Sequence, residues 1–249
     1  LISTYAAANQ GWTFVHRFAL LYRPADKSGG REVAAMIDQM NRLLENRLAG
    51  LNQVLWVDVA AEAASAGAPS VDFRLWHLAR MPYSEPFSRR LARCWTGRVL
   101  AVLGKTARAV ILDLDNTLWG GVLGEEGMTG VRLGGDFPGN AFLSFQRVLK
   151  ALAERGIALV ICSKNDEDLA LEAIEKLPAM QFRLADIAAY RVNWQEKWSN
   201  LPDIAAELNL GIESFLFVDD NPVEREAMRR NLPGVKVLDL PDDPAAYAE

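Results

Sequence analysis

Polar side chains follow three short apolar stretches of the sequence, at the points where predicted strands end. They are Asp113 and Asp115 after the first stretch, Cys162 and Ser163 at the end of the second, and Asp219 and Asp220 after the third. Because the carboxyl ends of parallel strands meet at one edge of a sheet, we expect these side chains to share one crevice. Four carboxylates in one crevice repel one another unless a cation lies between them, and hard oxygen ligands suit Mg²⁺. The spacing therefore predicts a Mg²⁺ site.

Such a site would divide two tasks between the first two aspartates. A bound Mg²⁺ would keep Asp113 ionised and nucleophilic and would screen the charge of a phosphate group. Asp115 lies two residues further on, hence on the same side of an extended chain, and would be free to transfer a proton to a leaving group. The alternative is that these aspartates cap loops and that Asp219-Asp220 forms a solvated turn. That alternative does not explain three polar strand ends together.

The elements that must position these residues alternate between strands and helices from Arg108 onwards. Strands are predicted at 108–113, 157–162, 182–184, 187–190, 214–218 and 235–238. Helices are predicted at 141–155, 166–177 and 198–209 and from Pro222 onwards. This alternation predicts an α/β fold with a parallel sheet and right-handed crossovers.

Residues 1–104 are predicted to be a partial α/β region, and residues 105–249 the catalytic domain. The first region is predicted to hold a strand at 18–22, closed by Pro24 and the loop at 28–30, a helix at 31–49, a strand at 54–59 and a helix from Ser84 towards Leu103. Within the second, the glycine-rich segment 118–139 is called the flap segment here. We expect it to form a hairpin that covers and gates the site; the alternative is a plain surface loop.

The composition and charge of the chain exclude or disfavour several classes of protein. The chain has 249 residues, half of them apolar, and a net charge of −5. This excludes a disordered chain and disfavours a general nucleic-acid binder, which needs a basic face. No apolar run approaches the roughly 18 residues of a membrane span. Two cysteines and no basic leader suggest a reduced cytoplasmic protein, and Leu1 in place of Met suggests a piece of a longer polypeptide.

The strand end Asp113-Leu-Asp-Asn-Thr117 resembles the first motif of the haloacid dehalogenase (HAD) phosphohydrolase superfamily. Over residues 108–240 three further motifs match in order: Ser163 as the phosphate-binding hydroxyl, Lys197 as the motif lysine, and Asp219-Asp220 as the acidic motif. The resemblance implies a HAD-type Rossmann-like sheet with a small flap. It also implies that Asp113 accepts the phosphate and that Asp115 is the general acid and base.

A finer resemblance, to the FkbH-like branch of that superfamily, rests on four longer segments. They are Asp113–Gly127, Cys162–Asp166, Asn193–Lys197 and Val218–Glu226. It implies a glyceryl transferase/phosphatase that takes the acyl group of 1,3-bisphosphoglycerate onto a cysteine, removes the 3-phosphate and loads glyceryl onto an acyl carrier protein in polyketide biosynthesis. Longer members carry an SGNH-hydrolase-like region before the HAD core, and residues 1–104 would be its remnant. No nucleophile of that hydrolase type is present there.

These resemblances assign roles to particular residues. The catalytic set is Asp113, Asp115, Cys162 and Lys197, and the substrate contacts are Thr117, Ser163, Lys164 and Asn165. The Mg²⁺ ligands are Asp113, Asp219 and the backbone carbonyl of Asp115, with Asp220 as a further ligand or a neighbour of one. Lys197 is expected at a helix start as the counter-charge of Asp113; alone it would be a surface lysine.

Cys162 distinguishes a transferase from a phosphatase. We expect its thiol to face the crevice with a pKa lowered by Lys164 and by the following helix N-terminus. The alternative is a small buried residue, which is the commonest state of a free cysteine. Cys94, between Leu91 and Trp95, is expected to pack in a core.

Two other functions stay open at this point. One is a simple Mg²⁺-dependent phosphatase that acts on a small phosphorylated metabolite, with Cys162 structural. The other is a catalytically idle recruitment domain of a synthase, which would have no use for clustered acids. The partners expected for the transferase are the small phosphorylated substrate and the phosphopantetheine thiol of the carrier protein, with neither nucleic acid nor membrane. A basic cluster between Arg89 and Arg108 is either a docking face for that acidic carrier or a solvated helix surface.

Overall fold

The computed structural model describes residues 11–21 and 30–248 of the chain. The chain divides into two compact units, Leu1–Thr106 and Ala107–Glu249. None of the helices in the described ranges combines the length and the apolar composition needed to cross a membrane.

In the described part of the first unit, residues 11–21 and 30–106, there are a two-stranded parallel sheet and four helices. The strands are β1 (Thr13–His16) and β2 (Val54–Val57). The helices are α1 (Gly30–Leu48), α2 (Val59–Ala64), α3 (Phe73–Ala79) and α4 (Glu85–Val102). A small core of four buried residues, Val57, Val59, Phe87 and Leu91, joins β2 to α2 and α4.

Sequence patterns located the helices of this unit better than its strands. Helix α4 begins where Ser84 was expected to cap it, since the Ser84 hydroxyl accepts a hydrogen bond from the Phe87 amide at 3.4 Å. The strand predicted at 18–22 is wrong for residues 18–21, which have no regular structure; the strand precedes them at Thr13–His16. Residue 22, Pro24 and positions 28–29 of the predicted loop lie outside the described residues. The strand predicted at 54–59 ends at Val57, because Asp58 caps α2 by accepting from the Ala61 amide.

The second unit is built on a five-stranded sheet in which every neighbouring pair is parallel. Its strands are β3 (Ala109–Leu112), β4 (Ala158–Ser163), β5 (Ile187–Val192), β6 (Phe215–Asp219) and β7 (Lys236–Asp239), in the order β5-β4-β3-β6-β7. Its helices are α5 (Leu123–Gly130), α6 (Gly139–Glu154), α7 (Glu167–Lys176), α8 (Lys197–Leu208) and α9 (Pro222–Asn231). The predicted α/β fold with a parallel sheet is therefore confirmed. The strand predicted at 182–184 is wrong: a short 3₁₀ turn at Leu184–Asp186 leads into β5.

Apolar side chains cover both faces of this sheet. Val110, Leu112, Leu159 and Ile161 belong to one buried cluster, which also contains Trp119. Ala109, Ile111, Val160, Cys162 and Phe217 belong to the other, which contains Leu201 and Ile204 of α8. Alternate residues of each strand thus enter opposite cores, as expected for a parallel sheet buried on both sides.

The register of the sheet sets three polar residues level with one another. Leu112 pairs with Ile161 of β4 and with Val218 of β6. The residues that follow, Asp113, Cys162 and Asp219, therefore lie at the same height, at the carboxyl edge of the sheet. Since Ile111, Val160 and Phe217 share one face, these three residues share that face as well.

The flap segment contains a helix rather than a β-hairpin. The antiparallel pairing within it is one bridge between Gly120 and Arg132, and α5 lies between these two residues; Trp119 forms a parallel bridge with Asp115. Trp119 and Leu123 are fully buried in the core beside β3. The hairpin prediction is therefore wrong: Trp119 and Leu123, near the start of the segment, pack into the core, and the chain continues from Leu123 as a helix.

A close backbone contact closes this segment before α6. The amide of Gly134 donates to the carbonyl of Gly139 at 2.9 Å. A Cβ atom on Gly139 would overlap the carbonyl oxygen of Gly134, so this position accepts no side chain without a backbone shift.

We predict that Gly139→Ala lowers the free energy of unfolding by about 1–3 kcal/mol, the usual cost of forcing an atom into a packed site. Gly124→Ala is the control, since a Cβ there meets nothing within 4 Å and the residue lies in helix α5. The control should be unchanged or up to about 1 kcal/mol more stable, because alanine favours a helix over glycine. Urea denaturation of both variants measures the difference; equal stability would contradict the close contact.

Candidate active site

Three carboxylates meet where β3 and β6 end. One oxygen each of Asp113, Asp219 and Asp220 lies within 4.8 Å of the others. Asp113 and Asp219 are buried and Asp220 is half-buried. A set of oxygen donors of this charge, mostly removed from water, fits a hard divalent cation such as Mg²⁺. Asp220, expected as a ligand or a neighbour of one, belongs to this cluster.

A buried lysine lies between two of these carboxylates. Lys197 is the first residue of α8, and its Nζ is 2.9 Å from Asp113 Oδ1 and 2.6 Å from Asp219 Oδ2. Burial by itself lowers the pKa of Lys197, but the attraction of Asp113 and Asp219 outweighs it and raises that pKa. The ammonium is therefore charged at every physiological pH. The structure brings Lys197 to Asp113, at the helix start where sequence reasoning expected it.

Asp219 is the most enclosed of the acids. Burial, and then repulsion from Asp113, raise its pKa to about 7, although Lys197 and the Asn221 amide oppose this shift. The Asn221 amide donates to Asp219 Oδ1 at 2.9 Å, while Lys197 occupies the other oxygen. The cluster therefore carries more negative charge than one lysine compensates, which favours a bound cation.

Asp115 stands apart from the cluster and is held by the flap segment. Its Oδ1 accepts hydrogen bonds from Trp119 Nε1 at 2.9 Å and from the Leu123 amide at 3.0 Å. Its Oδ2 accepts from Asn165 Nδ2 at 2.9 Å. Burial is the largest cause of a raised pKa of Asp115, and repulsion from Asp113 adds to it. A fixed carboxyl group with a raised pKa is suited to proton transfer.

The predicted substrate contacts surround these acids. Thr117 is fully buried, and its Oγ1 accepts from the Asp220 amide at 3.2 Å and donates to Asp220 Oδ1 at 3.4 Å. Ser163, the last residue of β4, is buried at the same sheet edge, and Asn165 is buried against Asp115. Thr117 and Asn165 thus position aspartates through contacts that the sequence did not indicate.

Lys164 is engaged in ion pairs. Its Nζ lies 2.8 Å from Glu224 Oε1 and 3.2 Å from Glu196 Oε2. The hydrogen bond to Glu224 is the largest cause of its raised pKa. The structure therefore gives Lys164 a role in joining the start of α9 to the residue before α8, and its contact with phosphate stays a prediction.

Cys162 lies beneath the crevice, not in its wall. The residue is fully buried, and its Sγ is 3.6 Å from the carbonyl oxygen of Lys197 and 4.0 Å from Asn200 Nδ2. Burial raises the pKa of the thiol to about 12, against the smaller lowering effect of Lys197. The expectation of an exposed thiol with a lowered pKa is wrong, because the first turn of α8 packs over the strand end and excludes water.

Two further residues support the site and were not found from the sequence. Arg225 of α9 donates through Nη1 to the carbonyl oxygens of Asp219 at 2.7 Å and of Asp220 at 2.6 Å. The Tyr247 hydroxyl donates to the carbonyl oxygen of Asn116 at 3.3 Å. A basic residue one turn into a helix and a tyrosine 131 positions away carry no local signal of these contacts.

Comparison with known proteins identifies the fold. No protein-family model matches the sequence, and a search of curated proteins finds no match. The structure matches the N-terminal part of the protein BF1531 from Bacteroides fragilis, which contains a phosphatase domain complexed with Mg, at a TM-score of 0.84 and 31% identity. The match covers 97% of this chain and 66% of that one. The chain has a HAD-type fold.

Two smaller structures match about half of the chain or slightly more. One is a HAD family enzyme from Bacteroides thetaiotaomicron in complex with magnesium and inorganic phosphate, with 9% identity, a TM-score of 0.38 and coverage of 55% and 95% of the two chains. The other is 3-deoxy-D-manno-octulosonate 8-phosphate phosphatase from Moraxella catarrhalis, with 17% identity, a TM-score of 0.37 and coverage of 61% and 79%. At these TM-scores neither structure bears on the site.

We predict that the Cys162 thiol of this HAD-type chain resists alkylation in the folded state. A protonated thiol that water does not reach reacts only when the surrounding structure opens, so the rate should be lower than that of half-buried Cys94 by about 100-fold. Iodoacetamide labelling at pH 7.5, followed by peptide mass spectrometry, measures both sites in one sample. In urea the two rates should converge, and rapid labelling of Cys162 in the native protein would contradict the buried position.

Proposed function

We propose that the chain is a Mg²⁺-dependent phosphohydrolase that acts on a small phosphorylated metabolite. The observation that carries the proposal is Asp113, ion-paired with Lys197 and surrounded by Asp219 and Asp220 at the carboxyl edge of a parallel sheet. The match to the Mg-bound phosphatase domain of BF1531 supports it. A catalytically idle recruitment domain would not retain buried acids that repel one another, so this alternative is disfavoured.

In the first step Asp113 attacks the phosphorus of the substrate. The bond from Asp113 to phosphorus forms while the bond from phosphorus to the leaving oxygen breaks, and Asp115 gives its proton to that oxygen. In the second step water attacks the phosphoaspartate, Asp115 takes a proton from the water, and inorganic phosphate leaves. Each cycle therefore returns Asp113 and Asp115 to their starting states.

The surrounding residues support these steps through charge and position. Mg²⁺ bound to Asp113, Asp219 and the backbone carbonyl of Asp115 would reduce the repulsion between the acids and the phosphate. Lys197 holds Asp113 and supplies a fixed positive charge. Asn165 and the flap segment orient Asp115, and the hydroxyl groups of Thr117 and Ser163 are proposed to contact the phosphate.

We predict that Asp113→Asn reduces phosphate release at least about 1,000-fold, because an amide oxygen does not attack phosphorus at a useful rate. The change is nearly isosteric and relieves the repulsion between Asp113 and Asp219, while Lys197 keeps its ion pair with Asp219, so the melting temperature should stay close to that of the parent. A malachite-green assay with a panel of phosphate monoesters and Mg²⁺ measures release, with EDTA as the metal-free comparison. Asn231→Asp, which introduces a carboxylate on the same unit away from the site, is the control. Undiminished release by Asp113→Asn would remove it as the nucleophile.

A finer form of the proposal makes the chain the glyceryl transferase/phosphatase that the FkbH-like resemblance implies. The Cys162 sulfur would lose its proton and bond to the acyl carbon of 1,3-bisphosphoglycerate while the bond from that carbon to the 1-phosphate breaks, so that the 1-phosphate leaves as inorganic phosphate. After removal of the 3-phosphate, the thiol of an acyl carrier protein would displace Cys162 from the thioester and return its thiol. The level position of Cys162 beside Asp113 supports this reading. Transfer also requires the first turn of α8 to move, since the Lys197 carbonyl and Asn200 cover the thiol. Simple phosphate hydrolysis requires no such movement.

In the basic cluster, where an acidic carrier is proposed to dock, two arginines are already ion-paired. Within the first unit Arg89 pairs with Glu85, and Arg90 pairs with Glu62 at 2.9 Å. Exposed ion pairs of this kind contribute little to stability and exchange readily with other acids. Docking of an acidic carrier at this cluster stays a prediction.

We predict that a transferase gains a hydroxylamine-sensitive glyceryl or phosphoglyceryl mass on the Cys162 peptide after incubation with 1,3-bisphosphoglycerate. Cys162→Ala should lose this adduct and the loading of the carrier, whereas Cys94→Ala should keep both. Intact-protein and peptide mass spectrometry measure these outcomes. An adduct-free protein that still releases phosphate would show the simple phosphatase, and carrier loading by Cys162→Ala at the parent rate would refute the thioester route.

A further inference from the structure

A cavity of about 520 Å³ adjoins the candidate site within the second unit. Two of its lining residues connect it to the chemistry: Asp220 belongs to the acid cluster, and Asn116 follows Asp115. Phe142 and Tyr247 provide an aromatic wall, with their ring centroids 5.8 Å apart. The cavity is large enough for a small metabolite whose phosphate lies at Asp113.

Arg132 enters this cavity from the end of the flap segment. Two backbone hydrogen bonds with Gly120, of 3.0 and 2.8 Å, fix its main chain. A Cβ atom on Gly120 would lie 2.9 Å from Phe142 Cε2 and 3.3 Å from Arg132 Nε, so the arginine side chain passes directly over this glycine. The absence of a side chain at Gly120 thus makes the room that Arg132 uses.

The guanidinium of Arg132 is free to bind a ligand. Its described ion pair is with Glu126, where Nη2 and Oε1 are 4.0 Å apart, at the outer limit for such a contact. That Glu126 oxygen already accepts a hydrogen bond from the Val122 amide at 3.2 Å. More than half of the Arg132 side chain is exposed. A planar guanidinium with uncommitted donors binds a carboxylate through two parallel hydrogen bonds.

The charges around the cavity leave Arg132 as the place where an anionic group of a ligand can bind. Among the described lining residues Arg132 is the one cation, and two carboxylates, Asp220 and Asp242, share the lining. An anionic group that enters is repelled unless it pairs with the guanidinium. Removal of Arg132 would leave a lining with negative charge alone, which disfavours an anionic ligand.

We propose that Arg132 binds a carboxylate on the part of the substrate that is not transferred, so that the substrate class is a small phosphorylated carboxylic acid. This inference rests on the proposed phosphohydrolase function and adds the feature that selects the substrate. Arg132 contacts the substrate but takes no part in the phosphoryl transfer. The specificity is therefore separable from the chemistry at Asp113.

The test uses pairs of phosphate monoesters that differ in one carboxylate. These pairs are 3-phosphoglycerate against glycerol 3-phosphate, and phosphoglycolate against ethyl phosphate. The parent protein with Mg²⁺ should prefer the carboxylate in each pair by at least about tenfold in kcat/KM, since a site built to hydrogen-bond a group rejects the analogue that lacks it. Arg132→Gln should lower that ratio by about 10–100-fold, mainly through KM, and leave kcat/KM for the esters without a carboxylate within about twofold of the parent.

Two further variants test whether the loss of preference comes from the Arg132 guanidinium itself. Arg132→Lys keeps the charge without the planar pair of donors and should restore part of the ratio. Arg230→Gln, on the exposed surface of α9 where Arg230 pairs with Glu226, is the matched control and should leave both ratios unchanged. Urea midpoints close to the parent value establish that each variant is folded.

A binding measurement separates this inference from the proposed function. In the Asp113→Asn background, calorimetry with 3-phosphoglycerate and Mg²⁺ should show binding that Arg132→Gln weakens at least about tenfold. If no ester is hydrolysed but this Arg132-dependent binding is seen, the phosphohydrolase proposal fails and the carboxylate site stands. If phosphate is released with equal kcat/KM within each pair, or if Arg132→Gln lowers both members equally, the phosphohydrolase stands and the role of Arg132 is overturned.

Discussion

The ammonium group of Lys197, buried between Asp113 and Asp219, is the interaction on which the site depends. The sheet register places the two carboxylates side by side, where they repel each other unless a cation lies between them. Removing one partner from a buried ion pair typically costs about 3–5 kcal/mol, because the remaining charge stays out of water. Lys197 therefore stabilises a metal-binding arrangement before a metal is bound. Its position at the first turn of α8 also explains why Cys162 is covered.

Around this pair the structure separates the carboxylates of the acid cluster from Asp115, the proposed proton donor. Arg225 fixes the carbonyl groups of Asp219 and Asp220, so the acidic loop keeps its shape while its side chains face the cluster. Asp115 is directed away by Trp119 and Asn165. Two aspartates separated by one residue therefore occupy different environments, which is the condition for one to act as nucleophile and the other as acid.

The flap segment contacts both Asp115 and the cavity that is proposed to select the substrate. Its beginning anchors Asp115 through Trp119 and Leu123, and its end carries Arg132 into the adjoining cavity. Tyr247 closes the same cavity and contacts the chain directly after Asp115. A substrate bound in the cavity, as proposed, would thus touch the elements that hold Asp115, the proposed general acid. This arrangement allows the remote part of a substrate to contribute to the positioning of its phosphate.

Local sequence determined the five strands of the second unit and the acids at their ends, although it also predicted a strand at 182–184 that the structure lacks. Short apolar runs closed by Asp113 or Asp219 have few alternatives in an α/β chain. The Asp166 side chain caps α7, and Pro222 favours the start of α9 directly after its cap, Asn221. The fold class and the Asp113–Lys197–Asp219 arrangement could therefore be predicted. The flap hairpin, the exposure of Cys162 and the roles of Arg132 and Tyr247 could not. Each of these depends on which distant element packs over a residue, and burial, which sets the Cys162 pKa and shapes the cavity, exists only once the tertiary structure has formed.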